Sequence, residues 1–151
     1  MSLSIDSQIE RMRSVWPEFA LTGHDGSVAR WRGPLRPLLQ TYVIDILYRA
    51  PALIERFDAA FHQPRVSVVS PALRRRRGDR EGALPHVYYG KDDAVSLCLL
   101  DPQAGDWAPC DHLAETTVPW TIEWLAAYEG WRATGTWTAS GRHVEPASAH
   151  V

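Results

Sequence analysis

The chain has 151 residues, 45% of them hydrophobic and 23% charged, with a formal net charge of −2. That length supports one core and is too short for two, and the near-neutral charge argues against a general nucleic-acid or membrane-surface binder. No apolar run approaches the about 20 residues that a spanning helix needs, so no membrane span is expected.

In chain order, Ile5, Ile9, Met12 and then Val15 or Trp16 repeat at helical spacing, which predicts an amphipathic helix ended by Pro17. Segments 19–21 and 27–31 read as short strands joined by the turn-rich His24-Asp25-Gly26. Over 41–48, Tyr42, Ile44, Ile46 and Tyr48 alternate with Val43, Asp45 and Leu47, the period of a strand. Residues 51–61 form a connection that is either a helical turn or a loop. Pro64 to Pro71 is a β-branched strand bounded by prolines. A polar loop, 73–82, then carries Arg74 to Arg77, a run expected to be a solvated loop or a docking point for an acidic partner. Pro119 predicts a helix start. The apolar stripe of that helix is Trp120, Trp124, Ala127 with Tyr128, and Trp131, expected to be core, with Gly130 and Gly135 ending it. Thr116 and Thr117 are its expected caps. A single domain over 1–145 is expected, with 146–151 as a flexible tail. Helix, strands, then helix is an α+β order.

Two cysteines and an N-terminus without the basic-then-apolar order of a secretion signal suggest a reducing cytoplasm and free thiols. Cys98 lies in a strand-like segment, Ser96-Leu97-Cys98-Leu99-Leu100. Cys110 lies in a polar loop, Pro109-Cys110-Asp111-His112, with a potential base two residues on. By local chemistry alone Cys110 ranks first. No zinc site is expected, because the two cysteines are not paired at knuckle spacing, and no cofactor is implied.

The order of motifs changes that ranking. Leu84-Pro85-His86-Val87-Tyr88-Tyr89-Gly90 precedes Leu97-Cys98-Leu99, and Trp107-Ala108-Pro109 follows it. Upstream are Trp31-x-Gly33-x-Leu35-x-Pro37 and Pro64-x-Val66-x-Val68. Together they resemble the ubiquitin-conjugating enzymes over roughly residues 3 to 131. Thr117-Val118-Pro119-Trp120 through Trp131, with Thr134-Gly135-x-Trp137, is similar to the conjugating-enzyme-like proteins of bacterial antiphage (type II CBASS) operons in their stand-alone form.

The resemblance implies an α+β, ubiquitin-conjugating (UBC-like) fold: N-terminal helix, four-stranded antiparallel meander, cysteine segment, then a Trp-rich helix. It also implies that Cys98 carries a protein C-terminus as a thioester. The donor would be the C-terminal glycine of a cGAS-like nucleotidyltransferase or another protein ending in glycine. Trp107, Pro109 and Thr117 would support the site. Asp111 and His112 would activate an incoming nucleophile, or form a solvated loop pair. His86 stands where the eukaryotic family has His-Pro-Asn, as a structural brace or a direct participant. That family's asparagine helps stabilise the oxyanion, and this chain contains no asparagine. Lys91 is the only lysine, so lysine self-modification would be confined to it. Two other readings remain at this point: an inactive binding module of the same fold, and a cysteine hydrolase using Cys98 with His86 or His112.

Overall fold

The computed structural model describes residues 3–51, 63–76, 84–99 and 108–137. The connection expected at 51–61, most of the loop beyond Arg76, Trp107 and the tail at 146–151 therefore lie wholly or largely outside the described residues.

Helix α1 (Ile5–Val15) starts at Ser4, whose hydroxyl accepts from the Ser7 N–H at 3.1 Å. Its buried face is Ile5, Gln8, Ile9 and Met12, the predicted stripe with one polar member. An antiparallel sheet follows in sequential order: β1 (Ala20–His24), β2 (Val28–Leu35), β3 (Tyr42–Arg49) and β4 (Arg65–Ser70). The alternation read in β3 holds throughout, with Tyr42, Ile44, Ile46 and Tyr48 all buried. Their cross-strand partners on β2 include Gly33 opposite Ile44 and Trp31 opposite Ile46. Gly33 is required by packing: a Cβ there would sit 2.5 Å from the Phe19 ring.

A short antiparallel pair, β5 (Val87–Tyr89) and β6 (Val95–Leu97), follows the sheet. Helix α2 (Thr117–Thr134) completes the described elements. It is buried around much of its circumference, which is why its sequence is apolar on more than one face. Tyr128 meets Tyr42 of β3 edge-on at 6.5 Å between ring centroids, and the buried residues of α1, the sheet, β6 and α2 form one cluster. Fully burying a tryptophan such as Trp31 or Trp124 gains roughly 4–6 kcal/mol at about 25 cal/mol/Å². These aromatics therefore outweigh any single hydrogen bond in holding α2 on the sheet. No helix among the described residues is long and apolar enough to cross a membrane.

Three local expectations need correction. The helix begins at Thr117, so Pro119 lies inside the first turn rather than at the first position. Thr116 occupies the cap position without a capping side chain, because its hydroxyl donates instead to the His112 carbonyl at 2.8 Å. Gly130 does not end the helix, which runs through it to Gly135 at φ 86°. There the arginine run is no longer only a solvated loop. Arg76 Nε donates to the Arg132 carbonyl at 3.4 Å, and its guanidinium lies against Gly135. A cation at the helix C-terminus complements the dipole, while a β-carbon at 135 would meet Arg76 Nη1 at 2.9 Å.

Candidate active site

The β5–β6 pair sets the surroundings of Cys98. Its register is Val87 opposite Leu97, Tyr88 opposite Ser96 and Tyr89 opposite Val95. The strand ends at Leu97, but the Cys98 N–H still donates to the His86 carbonyl at 2.9 Å, adding one more rung. Leu97 and Leu99 are buried in the core, so by alternation Cys98 turns the other way and is half-buried. Tyr88 and Ser96 share one face of the pair, and Cys98 follows two residues after Ser96. Tyr88 and Cys98 are thus diagonal neighbours on that face. The thiol donates to the Tyr88 hydroxyl with Sγ 3.2 Å from the oxygen.

His86 has φ 53°, the left-handed region that histidine enters more readily than most residues. That turn departs from strand alternation just where β5 begins. Its carbonyl accepts from two donors, the Cys98 N–H and Trp124 Nε1 at 3.0 Å. Its ring packs on Trp137 with centroids 4.8 Å apart. Trp124 stacks on Tyr128 at 5.6 Å and meets Trp137 edge-on at 5.2 Å. The tryptophan stripe is therefore core with an added task. Through the His86 carbonyl, one indole ties the cysteine strand to α2.

The other expected site residues gather elsewhere. Gln8 of α1 is 1% exposed; its Nε2 donates to the Asp111 carbonyl and its Oε1 accepts from the Leu113 N–H, each at 2.9 Å. Trp16 Nε1 donates to the Ala114 carbonyl at 2.7 Å, and the Leu3 N–H to the Pro109 carbonyl at 2.9 Å. Asp111 uses its carboxylate to accept from the Ala108 N–H at 2.9 Å, closing the turn that exposes Cys110. His112 lines a cleft with Asp6, Ser7, Glu10, Arg11 and Ser14 of the helix. Arg11 pairs with Glu115 and holds its carboxyl below the ordinary carboxylate value. Thr117 is buried, its carbonyl accepting from the Thr121 hydroxyl at 2.7 Å. The structure thus joins Cys98, His86 and Tyr88 around one strand pair, bonds Asp111 to α1 and Pro109 to Leu3 just before it, and leaves His112 lining a cleft beside that helix. Among the described residues no cluster suits a metal ion.

In the sequence Tyr88 stands out only as part of a flanking motif, and Gln8 does not stand out at all. Hairpin pairing between the two strands was the available signal for Tyr88. For Gln8 there was none, since its partners lie 103 and 105 residues away. A cleft of about 300 Å³ opens beside the thiol's partner, lined by Gln63, Arg65, Tyr88, Tyr89 and Ser96 among others.

An N-terminal helix, a four-stranded antiparallel sheet and a tryptophan-rich helix define a mixed α/β protein, with the half-buried Cys98 thiol a candidate nucleophile just past a braced strand. A family model described as type II CBASS E2 protein matches residues 8–144, and the chain belongs to that family. Membership is consistent with a conjugating-like role in antiphage defence. No curated protein matches the chain.

Proposed function

We propose that this chain is a ubiquitin-conjugating-like transferase, that its architecture is a UBC-like fold forming one domain over 1–145, and that Cys98 carries a protein C-terminus as a thioester. The observation that carries the reading is the placement of the sulfur. Cys98 is fixed through its own N–H to the His86 carbonyl, faces away from the core, and bonds to Tyr88, which lines a cleft of about 300 Å³. A covalent carrier needs a thiol that a flexible tail can reach and that ionises at the moment of attack. The CBASS family context supports this reading; in it, the donor is a protein ending in glycine, a cGAS-like nucleotidyltransferase, and the acceptor is an amine. His86 acts mainly as the brace of the cysteine strand, with Trp107 and Pro109 as support, and Asp111 and His112 order the segment after it. The compartment is the cytoplasm of a bacterium.

The test supplies the donor already activated, as a peptide ending in glycine whose carboxyl is an alkyl thioester, so that no separate activating enzyme is needed. Exchange of one thioester for another should place the peptide on Cys98 as a thiol-labile adduct. Cys98→Ser should abolish that adduct or convert it to a thiol-resistant ester, and Cys110→Ser should leave it unchanged. An adduct that follows Cys110 would overturn the assignment. A reversible complex without a covalent bond would favour a binding module, and a shortened partner a hydrolase.

A further inference from the structure

We propose that Tyr88 is a positioning residue for Cys98, holding its sulfur in both protonation states and donating the hydrogen bond that no asparagine in this chain can supply. The geometry carries it. The hydroxyl lies 3.2 Å from Sγ, and the two residues sit diagonally on one face of a strand pair closed by ladder bonds on both sides. In the resting state the thiol donates to the phenol oxygen. Once the thiol loses its proton, the phenol rotates its O–H toward the sulfur. The proton stays on the phenol, because an ordinary tyrosine titrates near pH ~10 and an ordinary cysteine near ~8.5. A hydrogen bond made to the charged form favours that form.

The same hydroxyl faces the acyl group, because Tyr88 is 41% exposed and lines the cleft with Arg65, Tyr89 and Ser96. This half of the inference rests on the thioester reading. The amine nitrogen attacks the thioester carbonyl, and the C=O π pair moves onto oxygen, which is bonded to the same carbon as the sulfur and so lies within reach of the phenol. The carbonyl then re-forms as an amide and the C–S bond breaks. Its electron pair returns to sulfur as thiolate, again beside Tyr88, and the extra nitrogen proton passes to water.

The experiment reads the thiol directly, in a Cys110→Ser protein so that iodoacetamide reports Cys98 alone. The other titratable or charged groups near the pair, among the described residues, include His86 just before β5, Arg65 on β4 and Tyr89 on β5 in the cleft, and Lys91 and Asp92 in the turn. Helix α2 meets the strand through Trp124, which does not titrate. A histidine contribution would appear as a separate inflection near pH ~6.5. Tyr88→Phe should raise the pH midpoint of alkylation by about one unit and slow discharge of a preformed adduct to a small amine about tenfold or more. Tyr88→Leu, which removes the ring as well, should give the same shift, so either folded variant decides the matter. An unshifted midpoint in a folded variant overturns the inference even where the adduct forms normally. A shifted midpoint in a protein that accepts no acyl group supports the hold on the thiol and overturns the transfer reading.

Discussion

The molecule contains two cysteine–histidine neighbourhoods built from the same residue types and put to different uses. Around Cys98 the histidine contributes its backbone: the His86 carbonyl takes a bond from the cysteine N–H and another from an indole of α2. Around Cys110 the neighbours Asp111 and His112 belong to a turn clamped onto α1 by Gln8, Trp16 and Leu3. The first arrangement leaves a thiol half-buried beside a hydroxyl whose residue lines a cleft. The second leaves an exposed thiol at the tip of a turn that the Asp111 carboxylate holds closed. Under the proposal that Cys98 is the carrier, a histidine two residues on from a cysteine is the weaker signal. Reactivity requires that polar neighbours be aimed at the sulfur, and here the Asp111 carboxylate is aimed at the Ala108 N–H.

The strongest way to break this comparison is at Gln8. Gln8→Ala leaves the Asp111 carbonyl and the Leu113 N–H without their partner in a buried setting, and opens a void. It should cost about 2–4 kcal/mol in denaturant unfolding. Below its transition the variant should still load Cys98 at the normal rate per folded molecule. Loss of loading in the folded variant would show that clamp and site form one unit.

A subtler test separates the backbone of His86 from its ring. Glycine accepts the left-handed φ freely, which offsets part of the lost contact with Trp137. His86→Gly should thus stay within about 1 kcal/mol of the parent. Loading and discharge should remain within a few-fold, because the carbonyl that holds Cys98 and Trp124 is retained. A discharge loss of about a hundredfold at unchanged stability would instead make the imidazole itself the oxyanion donor.

The smallest effect belongs to the Arg11–Glu115 pair at the edge of the clamp, where both side chains are nearly half exposed. Arg11 lowers the Glu115 carboxyl below its ordinary value of 4.5, so the folded state favours the charged form. The pair's contribution is complete above the unfolded-state value and is lost as pH falls through the lower folded one. Glu115→Gln should melt slightly below the parent at neutral pH, and the two curves should converge in acid. A gap that persists in acid would mean that the substitution acts through packing.

The elements visible in advance were those whose signals are local. Period-2 alternation in 41–48, the helical stripe of 5–16 and the prolines bounding 64–71 each depend on residues a few positions apart. All three survive in the structure, with boundaries moved by a residue or so. The start of α2 was misread because Pro119 is compatible with any position of a first turn, where N–H groups lack intrahelical partners. Thr116 was assigned to capping because nothing local shows that its hydroxyl turns back to His112. At the site, the motif order singled out the strand-like segment around Cys98 through a family resemblance, and the match over 8–144 bears out the family.

The sequence by itself thus determined the alternations, the apolar faces and the position of the cysteine segment, because burial patterns repeat with the period of the backbone. Only the tertiary structure decided what surrounds each thiol. Tyr88 reaches Cys98 through strand pairing across a turn, Trp124 reaches the His86 carbonyl from 38 residues away, and Gln8 reaches Asp111 across 103. Hydrogen bonds are short and directional while chain separation is not limited, so polar partners carry no periodicity to read and are chosen only when the core has packed.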